Sequence, residues 1–342
     1  MLAMIQKEFR QVVRDRRTLA MLIVMPVVLL LVFGYAASFD VDEIPTAVVG
    51  PDAAALVGQL PPVIAVETTA PGAGRAEAVE MLRAGDVHLA IVTGNGSPLV
   101  LIDGSELFMA RAAVQFLGSA PAPGLEHEVL FNPELDTSAV LVPGLAGLII
   151  VFVGTLVTSM SVVREQETGT LEQLAVMPFR PRDVFIGKIA PYFLIASLDI
   201  VVVLAIGTLL FDVPLNGPVL PLVLGALGFL FVALGVGVLI SSVSENQAQA
   251  IQLALMTVLP QIMLSGIIFP LTSMAPAVRW LGYLLPLTYF NQVAKGVMLR
   301  GAGIDDLLMP LGLLLVLGSV IFTLAVARFR RQLRPAKVRV AA

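Results

Sequence analysis

Few side chains in this sequence combine a type and a position that could do chemistry, and Asp199 stands out among them. It is the one carboxylate in the middle of a long apolar run, where a charge is costly and therefore suggests a function. Two roles are open: a proton-binding group, or a structural acid held by hydroxyl groups of a neighbouring helix. We expect the structural role, because no basic partner is predicted elsewhere in the apolar core.

Conventional catalytic and metal sites are not indicated. His88 and His127 are the only histidines, and no carboxylate cluster at ligand spacing surrounds both. The chain has no cysteine, which excludes a thiol nucleophile and a thiolate metal site. The phosphate-binding pattern G-x-x-x-x-G-K-[ST] is also missing, since Gly187-Lys188 has neither the upstream glycine nor the following hydroxyl. We therefore expect a chain that is not an enzyme, binds no cofactor or metal and cannot hydrolyse ATP by that route.

The composition places most of the chain in lipid. Of its 342 residues, 57% are hydrophobic and 13% are charged, and the mean hydropathy is +0.92. Six apolar runs are long enough to cross a hydrocarbon core of about 30 Å. They cover residues 18–37, 139–163, 189–211, 219–240, 248–269 and 307–327. The predicted fold class is an α-helical polytopic protein of the cell membrane with six transmembrane helices. We expect these helices to contact the lipid bilayer, and we expect no nucleic-acid partner.

Residues 38–138 differ in composition and predict a small α/β domain between the first and second spans. Fourteen acidic side chains stand here against only three arginines. Strands are predicted at Thr46–Val49, Val63–Val66, Val87–Val92 and Leu99–Ile102, and helices at Ala73–Ala84 and Glu106–Leu117. No Ser–His–Asp triad can be defined from dispersed residues, so we expect the domain to be non-catalytic.

The distribution of basic residues predicts the orientation. Residues 1–17 have the pattern of a basic amphipathic helix that lies in the headgroup region, and residues 328–342 form a basic tail. Fifteen of the 21 Lys and Arg fall on the side of both termini and of residues 164–188. The positive-inside rule therefore places both termini in the cytoplasm and the α/β domain outside. Prolines divide residues 270–304 into short amphipathic pieces suited to the membrane interface.

The polar loop 164–188 between the second and third spans is the segment around which the chain is organised. Thr170 and Gln173 have the spacing of a capping box, which starts a short helix. Leu171 and Leu174 lie on one apolar face of that helix. A surface-lying amphipathic helix of this kind suits docking by a partner protein, although an ordinary solvated connector would have the same pattern.

Three motifs carry a resemblance to a known family. They read Arg164-Glu165-x-Glu167-x-Gly169-Thr170-Leu171-Glu172-Gln173-Leu174, Met177-Pro178 and Gly187-Lys188-Ile189-x-Pro191-Tyr192. This order resembles the signature of the membrane subunits of type-2 ATP-binding-cassette (ABC) exporters. A second block, Ser265–Pro270 with Pro286–Phe290, resembles the pattern before the last span of that family. With the hydrophobic layout included, the resemblance covers essentially the whole chain.

The resemblance implies partners and roles. The loop would be the coupling helix that docks on a separate ATPase subunit, which would bind ATP and Mg²⁺. Two permease subunits, identical or paralogous, would form the transport route, and residues 270–304 would be re-entrant helices that close it from the external face. The residues assigned to contact with the ATPase are Glu165, Glu167, Gly169, Thr170, Leu171, Glu172, Leu174 and Met177.

Five residues are candidates for the substrate route, with ordinary helix packing as the alternative for each. They are Thr155, Thr158, Ser159, Asp199 and Gln261. A second function remains open, a secondary proton-coupled transporter or channel that relies on Asp199 and needs no ATPase. A non-transporting anchor for the α/β domain would require only one span. The sequence leaves open the substrate and whether the two permeases are identical.

Overall fold

The computed structural model describes Val24, Val27, Leu30, Leu31 and residues 43–94, 97–119, 126–168 and 181–332. The chain is mostly helical and has two parts, an α/β domain followed by a helical part that begins at Thr137. The predicted basic helix 1–17, nearly all of the first span and the tail from residue 333 lie outside the described residues.

The α/β domain contains a five-stranded sheet flanked by helices. Its elements are β1 (Ile44–Val49), α1 (Ala53–Val57), β2 (Ile64–Ala70), α2 (Arg75–Ala84), β3 (Leu89–Val92), β4 (Leu99–Asp103), α3 (Leu107–Ser119) and β5 (Glu126–Leu130). The strand order is β2-β1-β3-β4-β5, and all pairs are parallel except β3 with β4.

Both faces of the sheet are covered because its central strands are apolar on both sides. In β1, Ile44 and Val48 pack towards α1 and α3, whereas the alternate residues Ala47 and Val49 pack towards α2. The four predicted strands are confirmed, with bounds shifted by up to four residues. The prediction missed α1, which is only five residues long, and β5, whose charged sequence EHEVL is atypical of a strand.

The helical part consists of long apolar helices joined by short elements. They are α4 (Thr137–Glu167), α5 (Pro181–Leu210), α6 (Val219–Ser241), α7 (Gln247–Leu264), a 3₁₀ turn (Leu271–Ser273), α8 (Pro276–Gly282), α9 (Pro286–Lys295), a π-helical turn (Gly296–Arg300) and α10 (Leu308–Gln332). Within the described residues, segments of α4, α5, α6 and α10 are long and apolar enough to cross a membrane.

The helix at the fifth predicted span is shorter than residues 248–269. It begins at Gln247, capped by the Asn246 side chain, and ends at Leu264. The chain then turns at Gly266, whose φ of +79° lies in the region that glycine favours. Hydrophobicity continues to Phe269, so the pattern alone did not show where the helix stops.

Small residues set the distance between helices in this part. A Cβ at Gly147 of α4 would lie 2.5 Å from Phe290 Cδ1 of α9, so that only glycine permits this approach. Phe290 also stacks on Phe229 of α6, with ring centroids 5.0 Å apart. The core of the helical part is therefore formed by α4, α6 and α9, while α5 and α10 leave broad apolar faces exposed.

Candidate coupling site and substrate route

The predicted coupling segment begins where α4 ends. Glu165 is half-buried and Glu167 is exposed on the last turn of α4. The other predicted contacts to an ATPase lie outside the described residues; they are Gly169, Thr170, Leu171, Glu172, Leu174 and Met177. After these residues, the next helix, α5, starts at Pro181.

Two hydrogen-bonded pairs, which we call the α4 end contact, tie the C-terminus of α4 to the connection between α6 and α7. Glu167 accepts hydrogen bonds from the backbone N–H of Gln247 at 3.0 Å and from its Nε2 at 2.5 Å. Gln166 Nε2 donates to the carbonyl of Ser241 at 3.4 Å. Glu167 thus satisfies an unpaired donor at the N-terminus of α7, where a carboxylate is also favoured by the helix dipole.

The hydroxyl residues predicted for the substrate route are buried within the single chain. Thr155, Thr158 and Ser159 are each at most 1% exposed. Thr155 Oγ1 donates to the carbonyl of Ala233 on α6 at 3.3 Å. Gly237 of α6 lies against the same stretch, because a Cβ there would be 2.9 Å from Thr158 Cβ. These contacts are those of helix packing inside one chain; a role in a route between two chains stays a prediction.

The two other route candidates lie on different helices. Gln261 of α7 is 2% exposed and donates through Nε2 to the Thr257 carbonyl of its own helix at 3.3 Å. Its Oε1 has no partner among the described residues. Asp199 is half-buried on α5, between the exposed Leu198 and the buried Ile200. Their assignment to a substrate route stays a prediction.

Two buried basic residues were missed by the sequence analysis, and both lie in residues 270–304, outside the predicted spans. Lys295, at the end of α9, and Arg300, in the π-helical turn, are 3% and 7% exposed. Lys295 Nζ lies 3.0 Å from Glu106 Oε1, and Arg300 Nη1 lies 4.0 Å from Asp103 Oδ2. Both bases pair with acids of the α/β domain and not with Asp199. We call these four residues the junction.

Asp103 is the most deeply buried acid of the junction. Its Oδ2 lies 3.2 Å from His88 Nδ1, and its Oδ1 accepts hydrogen bonds from the N–H and hydroxyl of Ser105 at 2.9 Å and 2.5 Å. Burial by itself would raise the pKa of Asp103, but the His88 hydrogen bond and the Arg300 charge oppose it, and the net pKa lies below its usual value. Asp103 is therefore a carboxylate that holds the α/β domain to the helical part.

The sequence contained one weak signal for the junction. Lys295 and Arg300 are flanked by apolar residues in the stretch Val293-Ala294-Lys295-Gly296-Val297-Met298-Leu299-Arg300. A base with apolar neighbours on both sides is costly to bury unless an acid meets it. The stretch thus indicated a buried partner, but not which of the 25 acidic residues would supply it.

A cavity of about 410 Å³ opens beside the junction, between the α/β domain and the helical part. Its lining comes from β2 and the end of α2 on one side. On the other side it comes from α9, the turn after α7 and the start of α10.

Comparison with known proteins gives a match that includes both the α/β domain and the helical part. The family model described as "ABC-2 family transporter protein" matches residues 16–327, from the end of the basic N-terminal stretch to the end of the last span. The chain belongs to the ABC-2 transporter family. The match includes residues 164–188 and the helices that form the core, so the predicted family is confirmed; the role of the loop motif stays a prediction.

Individual proteins that are similar to this chain are named as permeases, in agreement with the family. The chain is 28% identical to the "Probable multidrug ABC transporter permease YbhR" of Escherichia coli K12, covering 96% of this chain and 98% of that protein. It is 27% identical to "Probable multidrug ABC transporter permease YbhS" of the same organism, covering 94% and 93%. It is also 30% identical to the E. coli K12 "Inner membrane transport permease YhhJ", covering 70% of this chain and 64% of that protein. This ABC-2 chain is a membrane permease of an ABC transporter.

Proposed function

We propose that this ABC-2 chain is the permease subunit of an exporter that moves a substrate out across the cell membrane. A separate nucleotide-binding subunit would hydrolyse ATP, with Mg²⁺, and a second permease subunit would complete the route. The chain would cross the membrane six times, with both termini in the cytoplasm and the α/β domain outside. The observation that carries the proposal is the similarity to proteins named permeases over nearly the whole chain.

The loop after α4 is where energy would enter. A partner that closes on ATP would move Thr170–Met177, which follows Glu167 within ten residues. Glu167 and Gln247 join that point to the start of α7, so a displacement of the loop would reach α4 and α7 together. Coupling of this type requires neighbouring elements whose contacts can switch between two arrangements. The exposed hydrogen bonds of Glu167 can make such a switch, because water replaces them at a small cost in free energy.

The exposed apolar faces support the membrane setting and a second permease subunit. On α5, Leu194, Leu198 and Leu209 are 74%, 63% and 83% exposed, and on α10 Leu315 is 72% exposed. Exposed surfaces of this size face lipid or another protein chain. Four described spanning helices also enclose little volume alone, which favours a route formed with a second copy or a paralogue.

The relatives YbhR and YbhS are named as multidrug permeases. By analogy, we propose that small organic molecules are exported by this chain.

The direct test is purification of the tagged chain from its native membrane in mild detergent, with mass spectrometry of the bound proteins. We expect an ABC ATP-binding subunit with the wild type and its loss with Leu174→Asp, which puts a charge on the proposed docking face. Leu174→Met conserves volume and hydrophobicity and should keep the partner. Equal amounts of all three chains in the membrane fraction exclude an insertion defect. If no ATPase subunit accompanies the folded wild type or Leu174→Met chain, the exporter proposal fails.

A further inference from the structure

One face of α10 is exposed and mostly apolar along the part of the helix that could cross a membrane. Its exposed residues form neighbouring pairs: Leu308 and Met309, Leu315 and Val316, Ser319 and Val320, Thr323 and Leu324, and Ala327 and Arg328. We call these residues the α10 stripe. From Leu308 to Arg328 the helix measures about 30 Å, at about 1.5 Å per residue, which matches the thickness of a hydrocarbon core. The stripe therefore has the length of a lipid-facing surface.

The two hydroxyl groups on the α10 stripe are satisfied inside the helix. Ser319 Oγ donates to the Leu315 carbonyl at 2.8 Å, and Thr323 Oγ1 donates to the Ser319 carbonyl at 2.7 Å. The apolar side chains beside them are open, since Val320 and Leu324 are 51% and 54% exposed. A surface in lipid has to satisfy its polar groups within the protein. The stripe meets this condition except at its last residue, Arg328.

Arg328 lies at the end of the helical part where α4 also ends. The helices α6 and α10 run parallel, because two glycines of α6 approach α10 closely in the same order along both helices. These pairs are Gly225 with Leu311 and Gly235 with Ile321. The same offset along the two helices places Arg328 level with the end of α6 at Ser241, whose carbonyl accepts a hydrogen bond from Gln166. Arg328 is therefore at the membrane boundary on the side of the α4 end contact.

Arg328 also differs from most basic side chains that the structure describes, because it has no partner. Those that have a hydrogen bond or an ion pair within the chain are Arg75, Arg83, Arg111, Arg279, Lys295 and Arg300. Among the described residues, neither Arg328 nor Arg164 has one, and both are exposed. Arg164 lies near the end of α4, so the two bases without partners are at the same end of the helical part.

The sequence after α10 supplies no acid that could neutralise Arg328. Residues 307–342 contain no Asp or Glu, whereas five more bases follow: Arg330, Arg331, Arg334, Lys337 and Arg339. The helix extends to Gln332, and the spacing of three between Arg328 and Arg331 places two residues on one helix face. A cluster of bases directly after a membrane helix attracts anionic lipid headgroups.

We propose that the end of α10 binds an anionic phospholipid, with the headgroup phosphate at Arg328 and Arg331 and the acyl chains along Val320 and Leu324. The lipid belongs to the leaflet on the side of the α4 end contact. A lipid fits better than a protein partner, because Arg328 continues an apolar surface of the same length as the hydrocarbon core. The inference requires only that the chain lies in a membrane and does not depend on the proposed export function.

The experiment is a lipid titration of the purified full-length chain in detergent, measured by native mass spectrometry. The probes are dioleoylphosphatidylglycerol, which is anionic, and dioleoylphosphatidylcholine, which has the same acyl chains and no net charge. We expect the first phosphatidylglycerol to bind at least about fivefold more tightly than the first phosphatidylcholine. The double variant Arg328→Gln, Arg331→Gln should lower the affinity for phosphatidylglycerol to that for phosphatidylcholine, because glutamine carries no charge to pair with phosphate.

A matched double variant tests whether the location of the charges or only their number matters. Arg75→Gln, Arg83→Gln removes two positive charges from the α/β domain, where these arginines pair with Glu128 and Glu80. We expect this control to bind phosphatidylglycerol as the wild type does. Arg328→Lys, Arg331→Lys keeps both charges and should retain most of the lipid preference. Melting temperatures before lipid addition identify any variant that fails to fold, and the preference of the wild type tests the proposal without any variant.

Four results would overturn the proposal. Equal affinity of the wild type for the two lipids would show that the headgroup charge is not recognised. Equal weakening by the Arg328, Arg331 and Arg75, Arg83 glutamine variants would show a general charge effect. Displacement of phosphatidylglycerol by millimolar glycerol phosphate would make this a site for a free phosphate group. Unchanged lipid binding by Arg328→Gln, Arg331→Gln, together with loss of a co-purifying ATPase subunit, would make the end of α10 a protein contact.

Discussion

The junction and the α4 end contact both connect distant parts of the chain, but by opposite physical means. At the junction, Lys295 and Glu106 pair with side chains that are 4% and 21% exposed. At the α4 end contact, Glu167 and Gln247 meet on an exposed surface. A buried ion pair is costly to break because it leaves an unpaired charge without water, whereas an exposed hydrogen bond can be replaced by water.

This difference separates a rigid connection from an adjustable one. The junction holds the α/β domain on α9 and the π-helical turn, so we expect those parts to move together. The α4 end contact lies next to the proposed coupling segment and can rearrange with it. The predictions below test this contrast between the two connections, in order of decreasing expected effect.

The largest effect is expected when one partner of the buried pair is removed. Lys295→Met should destabilise the chain by about 3 kcal/mol, since it leaves the Glu106 carboxylate in a largely buried site. The exposed pair Arg75–Glu128, at 2.8 Å with 53% and 44% exposure, is a matched control. Arg75→Met should cost less than about 1 kcal/mol. Thermal unfolding in detergent measures both; equal costs would contradict the contrast.

Acid should weaken the junction through Asp103. Its pKa is lower in the folded chain than in the unfolded chain, so the carboxylate contributes stability above the usual aspartate pKa of about 4. That stability is lost as the pH falls through the folded-state pKa. Melting temperatures between pH 7 and pH 3 should therefore fall less steeply for Asp103→Asn than for the wild type. Parallel curves for the two chains would contradict this role of Asp103.

Removal of the exposed connection should affect coupling more than stability. Glu167→Ala deletes both hydrogen bonds to Gln247, and we expect the melting temperature to change by no more than about 2 °C. Export should fall several-fold while the ATPase subunit still co-purifies. Glu167→Gln keeps an acceptor oxygen and should restore part of the export. Full export by Glu167→Ala would show that α4 and α7 need not be joined there.

The smallest effect is expected at Asp199, which belongs to neither connection. If its carboxyl group is structural, Asp199→Asn retains its shape and much of its hydrogen bonding, and export should fall less than about twofold. Transport assays in vesicles with and without ATP measure this. ATP-independent transport that Asp199→Asn abolishes would favour the secondary-transporter function in place of the exporter.

Much of the architecture could be predicted from local sequence. Apolar runs mark helices because burial in lipid depends on the composition of about 20 consecutive residues. Strands β1 to β4 were predicted for a similar reason, since β-branched and apolar residues bounded by Gly, Pro and Asp are a local pattern. The strand β5 was not predicted because its charged sequence is ambiguous. The end of α7 was predicted wrongly because the apolar residues continue beyond Leu264, where the helix stops.

The sequence by itself determined that this is a membrane permease of the ABC type, because spans and loop motif depend on neighbouring residues. Only the tertiary structure decided which distant charges meet. Lys295 and Glu106 are 189 residues apart, and Gln247 and Glu167 are 80 apart. No local pattern selects such partners among many acids, because distance and burial are set by how α4, α6, α7 and α9 pack. The cavity beside the junction likewise exists only once the two parts of the chain are joined.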